Sequence, residues 1–181
     1  TWANPSLTDG YKVAFPNLDP TTFKIENKMS LGQVSEVLFM LMLPLAYARL
    51  GVKKILIVGL LAWIIRFAFF GYGNPANSEW MLYAAILLHG VCYDFFFVSG
   101  MIYTDAKAGE KIKSQAQGLI SLATYGLGML IGSIVAGKVK DQYTVNEITN
   151  WLNVWLVPAG IAAVIFVLFL LFFKDNTRTA K

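Results

Sequence analysis

The sequence predicts an all-α membrane protein with five transmembrane helices, and three observations carry that reading. The 181 residues are 56% hydrophobic and only 14% charged, whereas a soluble domain carries nearer a quarter charged residues. The apolar residues gather into five runs, near 30–48, 54–72, 80–103, 115–137 and 152–173. Each is long enough for the roughly 20 helical residues that cross about 30 Å of hydrocarbon. Three charged residues, Glu36, Arg66 and Asp94, stand inside those runs. A charge in hydrocarbon is costly unless it meets a partner or a water-filled cavity, so such residues mark a solute or ion pathway.

The composition excludes other classes. The net charge is +4, but the basic residues are scattered among the loops and form no stripe, so no nucleic acid is expected as a partner. Cys92 is the single cysteine. It supports neither a disulfide framework nor a metal-ligand spacing and reads as a small packing residue. No phosphate loop, zinc spacing or nucleophile elbow is present, so no cofactor, no metal and no enzyme activity are expected. An intramembrane enzyme built on His89 and Asp94 would lack both a metal set and a nucleophile pair.

Along the chain, residues 1–29 are rich in turn formers (Asn4-Pro5, Asp9-Gly10, Pro16, Asp19-Pro20) and read as an extracytoplasmic loop. The first helix carries Gln33 and Glu36, three apart and so on one face, with Ser35 beside them and Pro44 further on. The second carries Arg66 and ends at Gly71-Tyr72-Gly73, which reads as a turn. On the third, His89 and Tyr93 lie one turn apart on a common face, while Asp94 turns about 100° away from Tyr93. The fourth carries Gly126, Gly128, Gly132 and Gly137. Its positions 128, 132 and 136 form a small-residue stripe suited to close helix packing. Thr124 and Tyr125, on the same helix, could face a cavity, though ordinary packing is the favoured reading. The fifth contains Pro158. Trp80, Trp151 and Trp155 fall near one membrane boundary, as an aromatic belt does.

Lys and Arg set the orientation. Arg49, Lys53, Lys54, Lys107, Lys111, Lys113, Lys174, Arg178 and Lys181 fall on one side, nine in all. Against them stand Lys138 and Lys140 in the short loops, with Lys12, Lys24 and Lys28 in the first segment. The C-terminus is therefore expected in the cytoplasm. With five helices starting outside, the chain reads as part of a larger protein, with at least one helix expected upstream.

Glu36, buried about 12 residues or some 18 Å from the cytoplasmic end, is the candidate for carrying a proton. His89 suits a proton relay or a hydrogen bond to solute, and equally an ordinary packing position. Arg66 and Asp94 fall at nearly equal depth on adjacent antiparallel helices, which predicts a salt bridge between them.

The run from 30 to 174 resembles the C-terminal half of the bacterial nucleoside:proton symporters of the major facilitator superfamily. The resemblance rests on Ser30-Leu31-Gly32-Gln33-Val34-Ser35-Glu36, Ala62-Trp63-Ile64-Ile65-Arg66-Phe67, Tyr93-Asp94-Phe95-Phe96 with Val98-Ser99-Gly100, and Ser114-Gln115-Ala116-Gln117-Gly118. Ala48-Arg49-Leu50-Gly51-Val52-Lys53-Lys54 looks like the superfamily loop between the second and third helices of a half. The resemblance implies five helices of a six-helix C-terminal bundle. Residues 30–174 form that bundle, 1–29 the outer loop before it and 175–181 a cytoplasmic tail, in a bacterial inner membrane. It implies proton-coupled nucleoside uptake by alternating access, with Gln33, Glu36 and Tyr93 against the solute and Glu36 and Asp94 linked to the proton; His89 joins the solute-lining set on its own chemistry. The missing N-terminal helix bundle would supply the rest of the site. His89 departs from the pattern, which looks like a tyrosine one turn before the Tyr93 position. A sugar or another small polar solute suits Gln33 and Glu36 as well, and a non-transporting membrane receptor would use the same fold to bind without flux.

Overall fold

The computed structural model describes residues 25–74 and 77–174, with side chains from Ser30 onward. The expected outer loop before residue 25 and the tail at 175–181 lie outside the described residues. Helix α1 spans Ile25–Leu50 and α2 Val52–Tyr72. A single residue separates them. Gly51 adopts φ +74°, a left-handed conformation that glycine reaches without steric cost, and the chain reverses there.

Helix α3 (Glu79–Cys92) runs through a π-helical turn, Tyr93–Val98, into α4 (Ser99–Ser121). A second π-helical turn, Leu122–Gly128, leads into α5 (Met129–Gln142). Strands β1 (Thr144–Val145) and β2 (Ile148–Thr149) form a short antiparallel hairpin. Asn146 and Glu147 take φ +49° and +65° at its tip, the paired positive φ of a two-residue hairpin turn. Helix α6 (Trp151–Phe172) follows, capped by the Asn150 side chain accepting from the Asn153 N–H at 3.2 Å.

The protein is predominantly helical. Four helices are long and apolar enough to cross a membrane, and the third of these is the 64-residue run Glu79–Gln142. The sequence predicts a loop over 104–114, but these residues are helical on both sides of one break at Gly109 (φ +69°, ψ 169°). Ala106, Lys107, Ala108, Glu110, Lys111 and Lys113 are strong helix formers, so the polar turn is drawn into the helices it joins. Asp105 and Lys113 pair across the break at 2.8 Å. Helix α1 likewise starts at Ile25, ahead of the expected Ser30.

Helix α3 packs against both α1 and α2, and α2 packs against α6. The core between the first three gathers Leu43, Ile55 and Phe95, flanked by Phe39, Tyr47 and Val98. The backbones close tightly at Gly59, where an added Cβ would lie 2.9 Å from Phe95 C and Phe96 N. The α2–α6 seam is aromatic. Phe70 and Trp155 stack at 4.9 Å and Phe67 and Trp155 at 6.1 Å, contacts worth about 0.5–1.5 kcal/mol each beyond their area. Trp155 therefore packs inside the seam, whereas Trp80 and Trp151 are exposed as a belt requires. The stripe at Gly128, Gly132 and Ala136 is exposed, and no atom lies within 4 Å of a Cβ added at Gly132. Among the described residues, no helix packs on it.

Candidate functional site

The site is built where α1 and α3 come closest. A Cβ at Gly90 would stand 2.6 Å from Ser35 C and O, so only glycine admits this approach. The Gly90 N–H donates to Ser35 Oγ at 3.0 Å, and that hydroxyl donates to the Gly32 carbonyl at 2.7 Å. Ser35 is 2% exposed. This dry clasp fixes the neighbouring residues of both helices, and Glu36 and His89 are those neighbours. Their side chains meet with His89 Nε2 2.5 Å from Glu36 Oε1. Both remain about 30% exposed on one open face, and His89 Nδ1 is buried with no partner.

One turn along α3, the Tyr93 ring lies 6.1 Å from the His89 ring. Its hydroxyl is 2.8 Å from that of Tyr125, which sits in the second π turn. Glu36, His89, Tyr93 and Tyr125 thus form a string of polar and aromatic groups crossing three helical segments. Gln33 lies one turn before Glu36 and is exposed; no direct contact joins it to the string.

Asp94 is absent from this face. It is 2% exposed, and its Oδ2 is buried without a partner. The π turn that carries it is held by Ser99, whose Oγ donates to the Asp94 carbonyl at 3.0 Å. The Tyr47 hydroxyl donates in turn to the Ser99 carbonyl at 3.0 Å. Glu36 is the acidic neighbour near enough to act on Asp94.

The expected Arg66–Asp94 salt bridge does not form. Arg66 lies beside the buried Cys92 thiol, with its guanidinium 5.3 Å from the Trp63 ring and 5.5 Å from the Phe70 ring. Its Nε is buried and unpartnered. The reason is azimuth. Cys92 turns toward α2, and Asp94, two residues on at the start of the π turn, sits roughly half a turn further round the helix. Equal depth does not bring the two charges together.

Sequence reasoning passed over Gly90 and Cys92 as site-building residues, and weighed Tyr125 as cavity-facing only to favour packing. Gly90 had a signal, since a glycine in mid-helix beside polar residues marks a close approach. Tyr125 had none, because its contact with Tyr93 spans 32 residues and depends on two π turns.

The sequence profile of the nucleoside H+ symporter family matches residues 3–178. The chain is 39% identical over 147 residues to the nucleoside permease NupG of Escherichia coli (strain K12), covering 81% of this chain and 35% of that protein. It is 32% identical over 179 residues to the xanthosine permease of the same organism, covering 98% of this chain and 41% of the permease. The crystal structure of the nucleoside transporter NupG superimposes with a TM-score of 0.83 at 34% identity, over 95% of this chain and 43% of that one. The chain spans less than half the length of these relatives.

Proposed function

Because this chain belongs to the nucleoside H+ symporter family, we propose that it forms one wall of a proton-coupled nucleoside transporter in a bacterial inner membrane. It supplies the C-terminal helix bundle of a major facilitator fold, with its C-terminus in the cytoplasm. The bundle has five spanning helices in this reading. A single helix of 64 residues would reach about 96 Å, three times the hydrocarbon thickness, so the Gly109 break divides Glu79–Gln142 into two spans. The basic side chains at Lys107, Lys111 and Lys113 then fall at one membrane surface with Arg49, Lys53 and Lys54.

The observation that carries the functional reading is the Glu36–His89 pair. It is a carboxylate and an imidazole in contact, half-exposed, within helices otherwise apolar. Such groups are costly in a membrane unless a cavity uses them. Charge arithmetic supplies the coupling. With His89 neutral, Glu36, Asp94 and Arg66 sum to one negative charge. One proton, taken by either acid or by His89, makes the cluster neutral. A proton therefore crosses more readily with the cluster than without it, and an uncharged solute bound beside the cluster can travel with it. Gln33 and Glu36 offer an amide and a carboxylate to ribose hydroxyls, and the His89 and Tyr93 rings line the cavity. The partner half of the site comes from the other helix bundle of the same transporter, and the two rock about it.

The test is uridine uptake into proteoliposomes holding the full transporter, with an inward proton gradient and with the gradient collapsed. Accumulation that needs the gradient supports the reading. Accumulation of a sugar in place of uridine transfers the site to that cargo. Binding of uridine without flux makes the protein a receptor.

A further inference from the structure

The two π turns among the described residues are joined through their tyrosines. Tyr93 opens the first turn and Tyr125 lies within the second, with their hydroxyl oxygens 2.8 Å apart. π turns are uncommon and concentrate at functional sites, because the extra residue re-aims side chains. Tyr125 is 45% exposed, among neighbours on the same segment that are apolar: Leu122 is 59% exposed and Leu127 55%. Thr124 spends its hydroxyl on the Ile120 carbonyl at 2.7 Å, which leaves Tyr125 as the polar group of this turn that reaches another helix. A hydroxyl pair held on an open face, at the end of the string that begins at Glu36, stands where a solute bound at Glu36 would extend.

Resting on the nucleoside reading above, we propose that Tyr125 is a specificity-determining residue, and that the Tyr93–Tyr125 hydroxyl pair reads the hydrogen-bonding edge of the base. Glu36 and Gln33 take the sugar, whose hydroxyls suit a carboxylate and an amide. The base, joined to the sugar by one bond, lies along the His89 and Tyr93 rings and reaches the pair. Each tyrosine hydroxyl has one donor and acceptor capacity, and its hydrogen rotates. Either oxygen can donate to the other, so the pair presents one free O–H beside a free lone pair, in either order. That pattern complements the adjacent carbonyl and N–H of uracil. Reversed, it complements the adjacent ring nitrogen and amino group of cytosine or adenine. The pair thus accepts bases of opposite polarity and rejects a base whose edge is blocked.

The experiment compares uridine, 3-methyluridine and 2′-deoxyuridine as competitors of labelled uridine uptake, in the full transporter in proteoliposomes. 3-Methyluridine blocks the base edge and 2′-deoxyuridine changes only the sugar. Wild type is expected to prefer uridine over 3-methyluridine by about tenfold or more, the effect of one lost hydrogen bond with a group left unpaired. Tyr125→Phe, which keeps the ring, is expected to bring that ratio within about threefold by raising the uridine KM with kcat little changed, while the ratio of uridine to 2′-deoxyuridine stays as in wild type. Tyr93→Phe serves as the second variant and is expected to give the same collapse. The proposal is overturned if wild type accepts 3-methyluridine as readily as uridine, if both variants keep the discrimination, or if the base and sugar ratios collapse together. A wild type that takes up no uridine at all defeats the nucleoside reading itself and is recognised before any variant is compared.

Discussion

Glu36 and His89 stand 2.5 Å apart because the residue before Glu36, Ser35 on α1, and the residue after His89, Gly90 on α3, form one clasp. The helices approach so closely there that a carboxylate and an imidazole are carried into contact. The clasp makes the pair's geometry a property of the backbone.

Gly90→Ala should therefore be disruptive although it adds one methyl group. The new Cβ meets backbone atoms of Ser35 at 2.6 Å, which cannot turn aside as a side chain can. A loss of about 1–3 kcal/mol is expected, read as a lowered thermal midpoint of the purified transporter. Gly132→Ala, which meets nothing within 4 Å, should leave the midpoint unchanged or raise it slightly, since alanine is the better helix former.

Ser35→Ala tests the polar part of the clasp. It removes the side-chain acceptor that the Gly90 N–H has besides its own helix, at a cost of about 0.5–1.5 kcal/mol. Ser35→Thr keeps the hydroxyl and should recover much of the midpoint if the α1 backbone accommodates the methyl group. Alanine and wild type melting alike would remove the hydrogen bond from the account.

Arg66 and Asp94 are predicted to couple only weakly. In a double-mutant cycle of Arg66→Met and Asp94→Asn, the coupling should stay below about 1 kcal/mol, since the two make no direct contact and are linked only through the charge of Glu36. A coupling of about 2 kcal/mol or more would restore the ion pair that the depth argument favoured.

His89→Ala removes the partner of Glu36 and is expected to raise the uridine KM about tenfold or more, the usual scale for a lost hydrogen bond to a charged group. His89→Gln retains an N–H for the carboxylate and should recover most of the affinity. Initial uptake rates over a range of uridine concentrations decide between them.

Much of the architecture is legible in the sequence, since lipid demands long apolar runs and the interruptions between them are short. That His89 and Tyr93 share one face is legible from their i, i+4 spacing; the contact of His89 with Glu36 on another helix is not, because it depends on the close approach at Gly90. Azimuth between helices was not legible either. Depth placed Arg66 beside Asp94, but rotation about α3 set Arg66 against Cys92 instead. The π turns were equally hidden, because no residue type announces them, and with them the Tyr93–Tyr125 contact. The polar stretch at 104–114 read as a loop although its Ala, Lys and Glu residues favour helix, and only Gly109 breaks it.

Of the three groups able to take the proton, we propose Glu36 as the one that carries coupling. This assignment is tested most directly by Glu36→Gln in the full transporter, comparing gradient-driven accumulation of uridine with uridine exchange between equal concentrations inside and outside. Exchange is expected to persist, with a raised KM, while accumulation against a uridine gradient is lost. Glu36→Gln protein that still concentrates uridine when a proton gradient is imposed would contradict the assignment.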